Sequence, residues 1–238
     1  MTNYEQEKKL AALTALAYVE DKMIIGIGSG STASHFIQFL GEKVREGLQV
    51  TGVPTSKETE RLCTLLGIPL ITTQIPEKID LTVDGADEFD PYLRLIKGGG
   101  GYLLKEKLVA SCSARTVIIT DSRKQVSVLG RTYALPIEVI PLMWGQIAKK
   151  LRYLGGEAKL RSFGTPPVPY LSENGNYILD CKFASIDQPE RLADELSRMN
   201  GIVEHGLFIG IADEVIMGEN EGTRCFRIGS KWQSSNVD

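Results

Sequence analysis

A lysine and a glutamate stand on either side of a glycine-rich segment in the middle of the chain. Lys97 is followed directly by four glycines, and Glu106 comes five residues after the last of them. Such glycines let a ligand approach the backbone closely, and a lysine can neutralise an oxygen anion that forms during a reaction. A nearby carboxylate can act as a general base, so the segment predicts proton-transfer chemistry.

Glu106 itself has two interpretations. A helix is predicted over residues 102–111, and there Glu106 shares a sector with Tyr102, Leu103, Val109 and Ala110. These neighbours would raise the pKa of the carboxyl group, whereas the flanking Lys105 and Lys107 would lower it if they came close. The alternative is an ordinary surface glutamate in a Lys-Glu-Lys charge run. The preceding glycines favour the functional interpretation.

An acidic turn follows a predicted apolar strand at residues 79–83. Its sequence, DGADEFD, places Asp84 and Asp87 at the carboxyl end of that strand, where open α/β sheets bind ligands. Paired carboxylates can hold sugar hydroxyls or move protons. A solvated acidic turn is the alternative. The spacing does not match a calcium-binding loop.

A phosphate-binding turn is predicted from GIGSGSTA, residues 26–33, between a strand and a helix. Backbone N–H groups at a helix N-terminus favour an anion, and Ser29, Ser31 and Thr32 add hydroxyl donors. The motif is not a dinucleotide fingerprint or a P-loop, because Ser31 replaces the third glycine and no P-loop lysine follows. The alternative is a tight turn with helix-capping hydroxyls. Lys124, in DSRK, and Lys8 are weaker candidates for anion contacts.

Composition excludes several classes of function. The 238 residues have a formal net charge of −3 and no basic block, so nucleic acid is not an expected partner. No apolar run is long enough to span a membrane, and the start of the chain lacks the apolar stretch of a signal peptide. Two histidines and four scattered cysteines offer little for a metal site, and none is predicted.

The order of predicted elements divides the chain. Strands alternate with helices up to about residue 130, which predicts a Rossmann-like parallel sheet. Residues 134–208 show a β-α-β-β-α-β order that is typical of a ferredoxin-like domain, with GIVEHGLF (201–208) as its last strand. We therefore predict a Rossmann-like catalytic domain, residues 1–130 plus 209–238, and a ferredoxin-like α+β insertion, residues 131–208.

Taken together, the motifs resemble those of type A ribose-5-phosphate isomerase. GIGSGSTA, PTSKET, DGADEFD, KGGGGYLLKEK, DSRK, ENGNYILD and EHGLF occur in that family's order, from about Lys8 to Gly229. The resemblance implies interconversion of ribose 5-phosphate and ribulose 5-phosphate through an enediolate, in the pentose phosphate pathway, without a cofactor. It also implies a cytoplasmic homodimer or homotetramer whose partner is a small sugar phosphate.

The resemblance also implies roles for individual residues. Glu106 would be the proton-transferring base, Asp84 and Asp87 would contact sugar oxygens, and Lys97 would serve catalysis with them. The predicted substrate-binding residues are Ser29, Gly30, Ser31, Thr32, Asp84, Gly85, Ala86, Asp87, Lys97, Gly98, Gly99, Gly100, Lys124 and Lys8. Many family members have threonine at the position of Ser29, and serine retains the hydroxyl.

Two other functions fit parts of the pattern. A related sugar-phosphate deaminase would be expected to carry a catalytic histidine, but neither His35 nor His205 lies in a glycine-rich loop. A non-catalytic sugar-phosphate sensor would need the phosphate-binding turn but not Glu106. Formation of a ketopentose from ribose 5-phosphate separates both from an isomerase.

Overall fold

The computed structural model describes residues 3–227 and the backbone of residues 233–235. These residues form two compact units. The first unit comprises the described residues of Met1–Ala86, Lys105–Lys124 and Gly210–Asp238, and the second comprises Asp87–Leu104 and Gln125–Ile209. No helix in the described part of the chain has both the length and the apolar character needed to cross a membrane.

The α-helices of the described residues are α1 (Tyr4–Leu16), α2 (Ser31–Arg45), α3 (Lys57–Leu65), α4 (Leu103–Ser111), α5 (Trp144–Tyr153) and α6 (Pro189–Ser197). The first eight strands are β1 (Ile24–Ile27), β2 (Thr51–Pro54), β3 (Leu81–Asp84), β4 (Glu88–Phe89), β5 (Leu95–Ile96), β6 (Thr116–Asp121), β7 (Leu135–Val139) and β8 (Glu157–Leu160). The later strands are β9 (Ser162–Phe163), β10 (Val168–Pro169), β11 (Tyr177–Lys182), β12 (Ile202–His205), β13 (Leu207–Phe208), β14 (Glu214–Glu219), β15 (Gly222–Arg227) and β16 (Gln233–Ser235). Short 3₁₀ turns lie at Ser122–Lys124 and Pro141–Met143.

The first unit is built on a mainly parallel sheet with strand order β16-β15-β14-β6-β3-β1-β2. Strands β2, β1, β3, β6 and β14 are parallel, and β15 and β16 add an antiparallel edge. Strands β3 and β6 are buried throughout, as expected for parallel strands with both faces covered. The Rossmann-like prediction is confirmed.

The second unit contains an antiparallel sheet with strand order β12-β7-β11-β8. Helix α5 connects β7 to β8, and α6 connects β11 to β12, which gives the β-α-β-β-α-β order of a ferredoxin-like fold. The helices bury Ile147, Leu151 and Leu196 in the core of this unit. The ferredoxin-like prediction is therefore confirmed, with the β9–β10 hairpin added between β8 and β11.

The prediction of one strand over residues 201–208 is wrong. The segment forms β12, which pairs with β7, and β13, which pairs with β5 in a separate three-stranded sheet. The break falls at Gly206, whose N–H donates to the Pro136 carbonyl at 2.8 Å. A Cβ at Gly206 would lie 2.3 Å from the carbonyl oxygen of Lys97, so only glycine fits where the chain changes sheets.

The units differ from the predicted domains over residues 87–104, 125–130 and 209, all of which belong to the second unit. Strands β4 and β5 of the first segment form a sheet with β13. The buried carboxylate of Glu88 also accepts hydrogen bonds from the backbone N–H groups of Gly130, Thr132 and Tyr133. These hydrogen bonds join residue 88 of the segment to residues 130–133 of the same unit. The domain assignment stays a prediction, and its residues 1–2, 228–232 and 236–238 lie outside the described residues.

Candidate active site

The predicted phosphate-binding turn joins β1 to α2 in the first unit. A Cβ at Gly28 would lie 2.1 Å from Oδ1 of Asp84, so glycine is needed for this close approach. Gly30 precedes the helix with φ of 92°, in the left-handed region that favours glycine. Helix α2 then begins with exposed Ser31 and half-buried Thr32, which places two hydroxyls at a helix N-terminus.

Asp84 links the acidic turn to the phosphate-binding turn. It ends β3 and is 2% exposed. Its Oδ1 accepts hydrogen bonds from the N–H groups of Ser29, at 3.1 Å, and Gly85, at 2.7 Å. Three of the predicted site residues are therefore in contact, and the orientation of the Asp84 carboxylate is fixed by the backbone.

A cluster of hydroxyl groups surrounds Ser29, and the sequence analysis did not predict it. The Ser29 hydroxyl lies 2.8 Å from those of Thr55 and Ser56 and 3.1 Å from that of Thr59. Thr59 also donates to the Gly28 carbonyl at 2.9 Å. The available signal was PTSKET, which follows β2, the neighbour of β1. These contacts shape the turn, and a direct role of Ser29 in binding stays a prediction.

The two weaker lysine candidates also belong to the first unit. Lys8 is 8% exposed in α1, and its ammonium group lies 2.6 Å from the Glu5 carboxylate. Lys124 ends the 3₁₀ turn at 122–124. The buried Glu7 carboxylate accepts hydrogen bonds from the N–H and hydroxyl of Ser122, at 2.9 and 2.8 Å. Helix α1 thus anchors the turn that carries Lys124.

Glu106 lies in α4 and is 5% exposed, together with buried Val109 and Ala110 on the same helix. The helical-wheel prediction is confirmed, and the alternative of an exposed glutamate in a charge run is wrong. The Glu106 carboxylate therefore has little contact with water.

The four glycines at residues 98–101 form a loop in the second unit, called the glycine loop here, and its backbone favours glycine. Gly98 and Gly101 have φ values of 99° and 83°, and the Gly101 N–H donates to the Gly98 carbonyl at 2.9 Å, which closes a tight turn. The Gly99 N–H donates to Oδ2 of Asp87 at 2.8 Å. A Cβ at Gly99 would lie 2.5 Å from the Tyr133 hydroxyl. Asp87 and the loop are therefore in direct contact, as two predicted site elements.

Lys97 and Tyr133 are two further polar residues beside the glycine loop of the second unit. Lys97 is 3% exposed, and its ammonium group lies 5.4 Å from the centre of the Phe208 ring. Burial, and then the negative charge of Asp87, raise the pKa of Tyr133 to about 12, so its hydroxyl keeps its proton at neutral pH. The loop thus carries a buried cation and is flanked by a neutral hydroxyl.

Among the described residues, no group of three or more histidine, cysteine, aspartate or glutamate side chains is arranged to hold a metal ion. Metal independence stays a prediction.

Comparison with known proteins identifies the family. The model of the family described as ribose 5-phosphate isomerase A (phosphoriboisomerase A) matches residues 51–222. The chain belongs to the ribose-5-phosphate isomerase A family. The ribose-5-phosphate isomerase A of Parvibaculum lavamentivorans is 46% identical over 226 residues, which cover 93% of this chain and 97% of that protein.

Solved structures of the family share the fold. A D-ribose-5-phosphate isomerase in complex with phospho-erythronic acid superposes with a TM-score of 0.92 and 41% identity, covering 94% of this chain and 99% of that one. The ribose 5-phosphate isomerase A from Methanocaldococcus jannaschii gives a TM-score of 0.88 and 38% identity, covering 92% and 97%. The mixed α/β fold is therefore that of ribose-5-phosphate isomerase A.

Proposed function

We propose that this chain interconverts ribose 5-phosphate and ribulose 5-phosphate by proton transfer at Glu106. The activity follows from membership of the ribose-5-phosphate isomerase A family, and the chain is an aldose–ketose isomerase of the pentose phosphate pathway. The single observation that supports Glu106 as the base is its burial, at 5% exposure, in the helix that follows the glycine loop.

The proposed reaction needs no change of oxidation state outside the sugar. The Glu106 carboxylate removes the proton from C2 of the open-chain aldose, and the electron pair moves to the C1 carbonyl to form an enediolate. Return of a proton to C1 and transfer of a proton between the two oxygens give the ketose. Lys97 stabilises the negative oxygen as it forms.

Asp84 and Asp87 are proposed to hold the sugar oxygens and move the hydroxyl proton. They are three residues apart in the chain, so their Cα atoms are separated by at most about 11 Å. Asp84 is fixed by backbone N–H groups, and Asp87 accepts the N–H of Gly99. These fixed orientations support roles in positioning a substrate.

The turn at residues 29–32 (Ser29, Gly30, Ser31 and Thr32) is proposed to bind the phosphate group or the part of the sugar next to it, with Lys8 and Lys124 as further cationic contacts. The ligand of the related structure, phospho-erythronic acid, is itself a sugar-acid phosphate. Gly85, Ala86, Gly98, Gly99 and Gly100 are proposed to contact the sugar through their backbone. Incubation with ribose 5-phosphate must produce a ketopentose. No conversion would contradict the activity and leave a sensor or a deaminase as the alternatives.

Thr32→Ala is expected to raise KM for ribose 5-phosphate with little change in kcat, because binding is lost equally in the ground and transition states. Steady-state kinetics provide the measurement. The matched control is Thr64→Ala on the exposed part of α3, since the Thr64 hydroxyl donates only back along its own helix, to the Glu60 carbonyl at 2.8 Å. An unchanged KM in Thr32→Ala would contradict phosphate binding at this turn.

Activity is expected to survive exhaustive dialysis against EDTA, because Lys97 and not a metal ion supplies the positive charge in the proposed mechanism. The rate with ribose 5-phosphate is compared before and after dialysis. Loss of activity that a single divalent ion restores would contradict this prediction and would make Asp84 and Asp87 candidate ligands.

The chain is further proposed to act in the cytoplasm as a homodimer or homotetramer. Light scattering of the purified chain measures the assembly, and a monomer at the enzyme's working concentration would contradict it.

A further inference from the structure

Two side chains that carry no predicted role contact the glycine loop. Arg161, between β8 and β9, donates from Nη1 to the carbonyl oxygens of Gly98 and Gly99, at 3.3 and 2.9 Å. The Tyr170 hydroxyl donates to the Gly100 carbonyl at 3.0 Å. Three consecutive loop carbonyls are thus held by side chains from outside the loop.

Asp180, on β11, fixes the guanidinium group of Arg161. Nη2 of Arg161 donates to Oδ1 of Asp180 at 2.5 Å, and Nε donates to Oδ2 at 2.9 Å. The Arg161 side chain is 16% exposed. This paired geometry is among the strongest and most directional that side chains form. A lysine could not reproduce it, because its single ammonium group cannot serve a carboxylate and two carbonyls in one plane.

The held carbonyls determine where the N–H groups of the loop point. In a planar trans peptide the carbonyl and the N–H point in opposite directions. Arg161 holds the Gly98 carbonyl, and Asp87 accepts the Gly99 N–H on the other side of the same peptide. In the next peptide, the Gly99 carbonyl accepts a hydrogen bond from Arg161. The N–H of exposed Gly100, on the other side of that peptide, therefore points away from the guanidinium group.

We infer that Arg161, held by Asp180, is a positioning residue for the isomerisation: it orients the glycine loop so that the Gly100 N–H donates to a substrate oxygen. The inference rests on the proposed function, in which this loop contacts the sugar. A donor fixed before the reaction stabilises a developing oxyanion without reorganisation, so its effect falls mainly on kcat.

The test compares Arg161→Ala, Arg161→Lys and a control. Arg161→Ala is expected to lower kcat about 10- to 100-fold, since small displacements of reacting groups have effects of this size. KM should change little, whereas the melting temperature should fall, because Asp180 loses its ion-pair partner. Millimolar guanidinium chloride should restore part of the lost kcat, whereas urea at the same concentration should not. Arg161→Lys should recover only part of the activity.

Arg191→Ala is the matched control, because Arg191 also pairs with a carboxylate, Glu195 at 2.9 Å, on an exposed helix face. It should behave as wild type. If the Arg161→Ala variant does not fold, the Asp180→Asn variant replaces it in the test, because asparagine keeps the shape of the side chain but binds Arg161 more weakly. A lowered kcat with an unchanged melting temperature in Asp180→Asn supports the inference.

Two results would overturn the inference alone: wild-type kcat in the Arg161→Ala variant, or a loss of kcat that guanidinium does not restore. Wild-type kcat in Asp180→Asn, where that variant decides, would do the same. An inactive wild-type chain would overturn the proposed function and the inference together, so the two failures are distinguishable.

Discussion

Glu106→Gln lowers kcat by about 10²–10⁴-fold, the range typical of general acid–base catalysis, and leaves KM close to the wild-type value. Glutamine keeps the shape of the side chain but cannot accept the C2 proton. The proposed contacts to the phosphate and to the sugar oxygens are made by other residues, so binding is retained. Steady-state kinetics with ribose 5-phosphate measure both constants.

The thermal melt separates a catalytic role from a structural one. Glu106 is buried, and replacing a buried carboxylate by a neutral amide of the same size should leave the melting temperature unchanged or raise it. Glu42→Gln, on the exposed face of α2, is the control for a glutamate in a helix. A near wild-type kcat in Glu106→Gln would indicate that Asp84 or Asp87 is the base instead. A large fall in the melting temperature would indicate that Glu106 has a structural role.

Lys97→Met lowers kcat by about 10²–10³-fold, as when one donor to an oxyanion is removed. Methionine fills the same buried space but carries no charge, so the enediolate oxygen loses its stabilising cation. Because that charge develops only during the reaction, KM should change much less than kcat. Kinetics on the purified variant, with a thermal melt beside them, provide the test.

Lys159→Met is the matched control, since Lys159 is an exposed lysine on β8 of the same unit. It should retain wild-type kinetics. A rise in KM with unchanged kcat in Lys97→Met would assign Lys97 to binding alone, and unchanged kinetics would exclude it from the site.

Much of the fold could be predicted because its signals are local. The apolar strands β3 and β6 alternate with helices, and short apolar runs of this kind are typical of parallel sheets. The burial of Glu106 followed from its helical spacing to Val109 and Ala110. Glycines that require a positive φ, such as Gly98, were visible as a cluster before a helix.

The remaining features depend on contacts between residues that are distant in the chain. Gly206 divides the predicted strand of residues 201–208 between two sheets because of its neighbours Pro136 and Lys97, which no local pattern reveals. The hydroxyl cluster at Ser29 depends on the pairing of β1 with β2. Arg161 reaches loop carbonyls 62 and 63 residues away in sequence. Spacing within a segment cannot predict such pairs.

The most direct test of the central claim follows hydrogen exchange at carbon. Ribose 5-phosphate is incubated in ²H₂O with wild type or Glu106→Gln, and NMR measures deuterium at C1 of the ribulose 5-phosphate and at C2 of the remaining aldose. A base that carries the proton through an enediolate exchanges it with solvent, so wild type should incorporate deuterium and Glu106→Gln should lose this incorporation together with kcat. Wild-type incorporation rates in Glu106→Gln would contradict the assignment of Glu106 as the base.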